Sequence, residues 1–297
     1  MRDAARAALA EIRVRRPEAI AEAAAARVRP ERAVDDAGRV MVVAADHTAR
    51  GMLGAGRRAM AMAGRADMLD RLCLALSRPG VTGVLGTADV LEDLLLLGAL
   101  DGKAVFGSMN RGGLQGAAWE IDDRFTAYDA AAIEAMGFEG GKMLTRIDLD
   151  DPATGATVEA CARAVSDLAA RRRVAMVEPF MSRRVDGRVR TDLTTDAAIR
   201  ASVIAAGLGV TSAYTWLKVP VVEDMERVIG ATTLPTVLLG GEVSDDQDAA
   251  FASWQRALAV PGAIGLVVGR SLLYPPGDDV AAAVDTAVGL LPKEVAA

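Results

Sequence analysis

The sequence predicts an α/β fold: a single closed (β/α)8 TIM barrel over residues 39–297, behind a helical extension over residues 1–38. Three observations predict it. A short apolar run, a Gly-rich or polar break and a stretch of helical periodicity recur eight times, the pattern of a closed parallel barrel. The first run, Val40-Met41-Val42-Val43-Ala44-Ala45, is continuously apolar, as a parallel strand buried on both faces requires. The chain has 297 residues, 52% of them hydrophobic, with 29 glycines spread along it and no linker-like tract, which favours one large domain.

In order along the chain, residues 2–26 have the Ala, Glu and Arg content of a solvated helix, with the charge cluster from Arg13 to Arg16 on its solvated face. Strand runs follow at Val40–Ala45, 83–85, 104–106, 142–144, 174–177, 216–219, Thr236–Leu239 and 265–268. Helical stretches fall between and after them at Arg65–Ser77, 88–97, 128–136, 154–170, 196–206, 223–229, 248–259 and 279–290. Two connections are long. Residues 108–126 carry Asn110-Arg111-Gly112-Gly113, and residues 180–193 carry Arg183, Arg184, Arg188 and Arg190. Both read as strand-to-helix loops, which in a barrel lie on the active-site face, so both are candidate lids or substrate clamps.

Composition narrows the function. A net charge of −6 and a pI near 5.1 argue against a polyanion-binding surface, and no nucleic-acid partner is expected. Cys73 and Cys161 sit in helix-like apolar stretches and read as reduced core residues of a cytoplasmic protein. His47 is the only histidine, too few for most zinc hydrolases, zinc-dependent aldolases or Ser-His-Asp mechanisms. Nothing specifies a metal or a cofactor. The N-terminal residues alternate charge with alanine and do not read as a signal peptide, and no run is long and apolar enough to span a membrane.

Four lysines stand among 34 basic residues. Lysine can lose its proton and arginine effectively cannot, so a lysine inside an apolar run points to chemistry. Lys218 lies in such a run, Tyr214-Thr215-Trp216-Leu217-Lys218-Val219-Pro220. Polar residues at other strand runs join it: Asp46 ends the first, Lys142 lies in the fourth and Glu178 ends the fifth. Converging on one barrel mouth, they suit covalent amine catalysis, in which a lysine adds to a ketone and the resulting iminium draws electrons from a neighbouring carbon–carbon bond. A second cation helps to keep the amine neutral, and Glu178 would move protons while Asp46 orients a hydroxyl or the lysine. Gly240-Gly241 after the seventh run and Gly269-Arg270 after the eighth read as a phosphate site, from backbone N–H groups and a guanidinium.

At these residues the chain resembles the class I, Schiff-base aldolases of the tagatose-bisphosphate and deoxyribose-phosphate aldolase superfamily. Within that likeness it resembles an actinobacterial branch of aldolase-like (β/α)8 barrels often found among inositol-catabolism enzymes. The resemblance spans about residues 40–291 and implies Lys218 as the Schiff-base lysine, with Lys142, Glu178 and Asp46 in the supporting roles and Gly269-Arg270 on phosphate. It implies cleavage of a phosphorylated keto-sugar to dihydroxyacetone phosphate and an aldehyde. The inositol association would make the substrate 6-phospho-5-dehydro-2-deoxygluconate and the aldehyde malonate semialdehyde, with Arg111 or Arg183 on its carboxylate. Pro220 directly after the sixth run and the long loop after the third depart from the pattern and bear on the non-phosphorylated end. Two other readings remain open: a phosphosugar isomerase or epimerase using Glu178 and Asp46, and a non-catalytic metabolite-binding barrel. The N-terminal helix is available for a homo-oligomer interface.

Overall fold

The structure, a computed structural model, describes residues 3–293. Nine strands are present among them: β1 (Val40–Ala45), β2 (Gly83–Gly86), β3 (Ala104–Ser108), β4 (Gly140–Ile147), β5 (Val174–Val185), β6 (Arg188–Thr191), β7 (Thr215–Pro220), β8 (Thr236–Leu239) and β9 (Ala263–Val268). All but β6 pair in parallel, and the β1–β9 and β4–β5 pairings close the sheet into an eight-stranded barrel. The fold is therefore a single (β/α)8 barrel, as the eightfold alternation predicts.

Helices α1 (Asp3–Arg15) and α2 (Ala19–Ala26) precede the barrel. Around it run α3 (Arg65–Ser77), α4 (Ala88–Leu96), α5 (Ala130–Ala135), α6 (Ala153–Ala170), α7 (Thr195–Ala206), α8 (Met225–Gly230), α9 (Gln247–Leu258), α10 (Arg270–Leu273) and α11 (Val280–Gly289). Five of them start at a side chain that accepts the backbone N–H three residues on: Asp129, Thr194, Asp224, Asp246 and Asp279. Such caps satisfy a donor that the first helical turn leaves free, which fixes where each helix begins. No described helix is long and apolar enough to cross a membrane.

The alternation of side chains along each strand divides the core in two. Outward residues such as Met41, Val43, Val105 and Val177 pack under the helices. Inward residues such as Val42, Ala44, Phe106, Met176, Trp216 and Val237 fill the barrel, with the Phe106 and Trp216 rings 5.8 Å apart. Ala33 and Val34, on the segment leading into β1, pack against that inner core. The same segment is tied down by Arg27, which donates to the Lys103 and Gly137 carbonyls and to Glu139, and by Arg39, whose Nη1 reaches the Pro292 carbonyl at 3.3 Å. Gly265 closes the seam between β1 and β9. Its φ is +151°, and a Cβ there would overlap the Val40 carbonyl oxygen.

Three expectations need correction. Residues 180–193 are not a strand-to-helix loop: β5 runs on to Val185, turns through Asp186-Gly187 with both φ positive, and returns as antiparallel β6. An Asp-Gly pair between strand-forming residues favours this two-residue turn, because the left-handed backbone that it needs is accessible to both. The stretch expected as one helix over residues 2–26 forms two helices within its described residues 3–26, broken where Pro17 cannot continue the hydrogen-bond ladder. Arg13 is only partly exposed and bonds Glu92 Oε2 at 2.7 Å and Asp93 Oδ1 at 3.0 Å on α4, while Arg15 and Arg16 are exposed.

Candidate active site

The polar side chains of the mouth stand one inward position above the apolar filling of the barrel. Asp46 follows Ala44, Ser108 follows Phe106, Glu178 follows Met176 and Lys218 follows Trp216, each two residues on; Lys142 follows Gly140 in the same way. A period of two thus lifts one residue per strand from an apolar layer into a polar one. The register pairs Ser108 with Lys142 within the polar layer, and steps by two residues between β4 and β5, where Lys142 stands opposite Met176 of the apolar layer.

These residues bond to one another. Glu178 bridges both amines: its Oε1 accepts from Lys218 Nζ at 2.8 Å and its Oε2 is paired with Lys142 Nζ. Asp46 Oδ2 accepts from Lys142 Nζ at 3.2 Å, from Arg111 Nη1 at 3.0 Å and from Ser108 Oγ at 3.0 Å. All six are buried, Lys142 at 2% and Lys218 at 4% of their accessible areas. Arg111 Nη2 is buried without a partner, as is Nδ1 of His47 beside Asp46. Ser108 escapes a reading of strand ends because 104–106 reads as a strand that stops short of it. Its one signal is its inward position two residues after Phe106.

Burial and charge act on each group. Burial pushes Asp46 up, but Lys142 and Arg111 pull it well below the usual carboxylate range. Burial likewise works against Glu178, yet the two ammonium groups hold it down at about 2. Lys142 is lowered, by burial first and by Arg111 and Lys218 further, against the pull of Asp46 and Glu178. Fully ionised, the cluster holds three cations (Lys142, Lys218 and Arg111) and two anions (Asp46 and Glu178). An unbalanced buried charge is costly, and a lysine relieves it by giving up a proton, which arginine cannot do.

The two glycine breaks lie side by side on the far edge of the mouth. A Cβ on Gly240 would overlap Val268, and one on Gly269 would overlap the Ala44 carbonyl oxygen and stand 2.9 Å from His47 Cε1. Arg270 opens α10 at this edge, with Nη1 3.4 Å from the Gly54 carbonyl oxygen and Nε buried without a partner. Gly241 has φ +69°, a left-handed conformation that admits glycine most readily.

Arg183 is not drawn into the cluster. It is exposed on the β5–β6 hairpin and lines a cavity of about 660 Å³ with Trp119, Asp148, Asp150 and Arg184. The loop after β3, by contrast, is held over the mouth. Arg50 Nε and Nη2 reach the Gly113 carbonyl at 2.7 Å and Glu120 Oε1 at 3.0 Å. Arg146 reaches Glu120 Oε1 at 2.5 Å and Asp123 Oδ2 at 3.3 Å. Asn110 pairs with both backbone groups of Leu144.

A family model described as Cgl0159-like matches residues 38–288. The crystal structure of Cgl0159 from Corynebacterium glutamicum is 52% identical over 98% of each chain, with a TM-score of 0.95. A Schiff base-forming fructose-1,6-bisphosphate aldolase is 17% identical over 92% of this chain and all of that one, with a TM-score of 0.64. An archaeal fructose 1,6-bisphosphate aldolase is 16% identical over 92% and 98%, with a TM-score of 0.65. At those identities the likeness concerns the barrel alone. No curated protein matches the sequence.

Proposed function

The chain belongs to the Cgl0159-like family, and from the cluster at its barrel mouth we propose that it is a class I aldolase with Lys218 as the Schiff-base residue. One observation carries the reading: Lys218 Nζ lies 2.8 Å from a carboxylate that also holds a second buried amine. The barrel is shared with Schiff base-forming aldolases, but the reading rests on these side chains.

In this mechanism the neutral Lys218 amine adds to the ketone of a phosphorylated keto-sugar. The N–C bond forms, the C=O π pair moves to oxygen, and loss of water from the carbinolamine leaves an iminium. A base then takes the proton of the hydroxyl carried by the far carbon of the bond to be broken. Its electrons form the aldehyde C=O, the carbon–carbon bond breaks, and the released pair enters the iminium to give an enamine. Protonation and hydrolysis release dihydroxyacetone phosphate and free the amine. Glu178 and Lys142 carry protons at the nitrogen, Asp46 orients the substrate hydroxyl, and Gly240, Gly241, Gly269 and Arg270 hold the phosphate.

For the aldehyde half, Arg111 is the better placed of the two arginines, because its Nη2 is buried and unpartnered beside Asp46. A carboxylate there would complete its pairing, which favours malonate semialdehyde and hence 6-phospho-5-dehydro-2-deoxygluconate as substrate.

Incubation with dihydroxyacetone phosphate and sodium borohydride, followed by intact mass and peptide mapping, tests the reading. A reduced adduct on Lys218 is expected, and none in Lys218→Arg. No adduct on a folded protein that binds the phosphate would reject the imine and favour the isomerase.

A further inference from the structure

The one histidine has no part in the chemistry above, and its surroundings supply one. His47 follows Asp46 at the end of β1, and its Nδ1 is buried with no hydrogen-bond partner. The nearest carboxylate oxygen, Asp46 Oδ1, is 4.0 Å from Nδ1, beyond hydrogen-bond reach. The side chain is 20% exposed, and because Nδ1 is enclosed that exposure lies elsewhere on the ring. Its Cε1 edge rests against Gly269, where any side chain would displace it. The imidazole therefore stands in a fixed position between the phosphate edge of the mouth and Asp46 of the amine cluster.

We infer that His47 contacts the substrate, its uncharged imidazole donating a hydrogen bond to the ketone oxygen while Lys218 attacks the ketone carbon. This rests on the imine reading above. Burying an unpaired N–H on Nδ1 would be costly, so the lone pair sits there and the N–H on Nε2. Burial drives the imidazole pKa down to about 3; Arg270, Lys218 and Lys142 add to the effect and Asp46 opposes it. The ring therefore donates as a neutral group and does not add to the positive charge around the forming iminium. In the assisted step the N–C bond forms, the π pair moves to oxygen, and the proton shed by nitrogen passes to that oxygen. His47 gains and loses no proton. It stabilises the charge that grows on oxygen, as a preorganised donor does at an oxyanion.

The test compares wild-type protein with His47→Phe, which keeps a ring against Gly269 but has no N–H, and His47→Asn, which restores a donor. The rate of reductive trapping of Lys218 by dihydroxyacetone phosphate and borohydride is read by intact mass, and inorganic phosphate binding by calorimetry. Phe is expected to slow trapping about 10²-fold, Asn to recover most of that loss, and the phosphate Kd to change less than about twofold in both. Trapping by Phe at the wild-type rate, equal loss in Phe and Asn, or a parallel loss of phosphate binding would overturn the inference. Should Phe not fold, His47→Ala takes its place in the same comparison. Absence of any adduct in the wild type would reject the imine reading itself, a different result from a normal adduct whose rate ignores His47.

Discussion

Two buried charge clusters sit within the same mouth and are built differently. Under the loop after β3, Arg50 and Arg146 face Glu120 and Asp123, two cations against two anions, with the Gly113 carbonyl shared between the guanidiniums. Burial pulls both arginines down, Arg50 to about 10, still well above neutrality. Deeper in the barrel, Lys142, Lys218 and Arg111 face Asp46 and Glu178, and the count does not balance. Both outer cations are arginine, which keeps its charge, whereas two of the three inner ones are lysine, which can give its proton up. The outer cluster pins a loop; the inner one holds a proton that it can lose.

The largest test of that contrast is Lys218→Arg. It keeps a cation beside Glu178 but cannot form an imine, and turnover in steady-state assays should fall by at least about 10³-fold with an unchanged circular dichroism spectrum. Next, Glu120→Ala removes the carboxylate of buried Arg50 and leaves Arg146 with Asp123 alone, and should cost about 3–5 kcal/mol in chemical denaturation, with Lys218 still trapped in the protein that remains folded. Equal effects of both changes on stability would erase the distinction.

Acid sharpens the comparison further. Glu178 is lowered in the folded protein to about 2 from 4.5, so its contribution to stability is present above the unfolded value and is lost as pH falls from about 4.5 towards 2. The thermal midpoint should drop across that window, and less steeply in Glu178→Gln. The smallest effect belongs to Arg183→Ala: lying outside both clusters, it should leave the trapping rate within about twofold.

Much of the barrel is legible in the sequence, because buried parallel strands announce themselves as apolar runs. Lys142, Glu178 and Lys218 stand out as charges inside or at the end of such runs, and Asp46 as the acid that stops one. Their mutual bonding is not legible, since it depends on register across four strands. Arg111 and Arg183 look alike in sequence, each on a long connection of the mouth. What separates them is that Asn110 anchors its loop to Leu144, whereas Asp186-Gly187 turns the other segment outward as a hairpin. The fit of His47 against Gly269 is likewise a matter of space, which a pattern of residue types does not record.

The scarcity of lysine has a practical side for anyone attaching the protein to a surface. Of its lysine side chains, two are sealed inside the mouth, Lys103 is half-buried with its amine on the Val81 carbonyl, and Lys293 is exposed. Lys293 follows Pro292, whose carbonyl is reached by Arg39 at the entry to β1, the end of the barrel opposite the mouth. Among the lysines, an amine-reactive linker would thus couple mainly through Lys293, leaving the mouth facing away from the support and Lys142 and Lys218 unmodified.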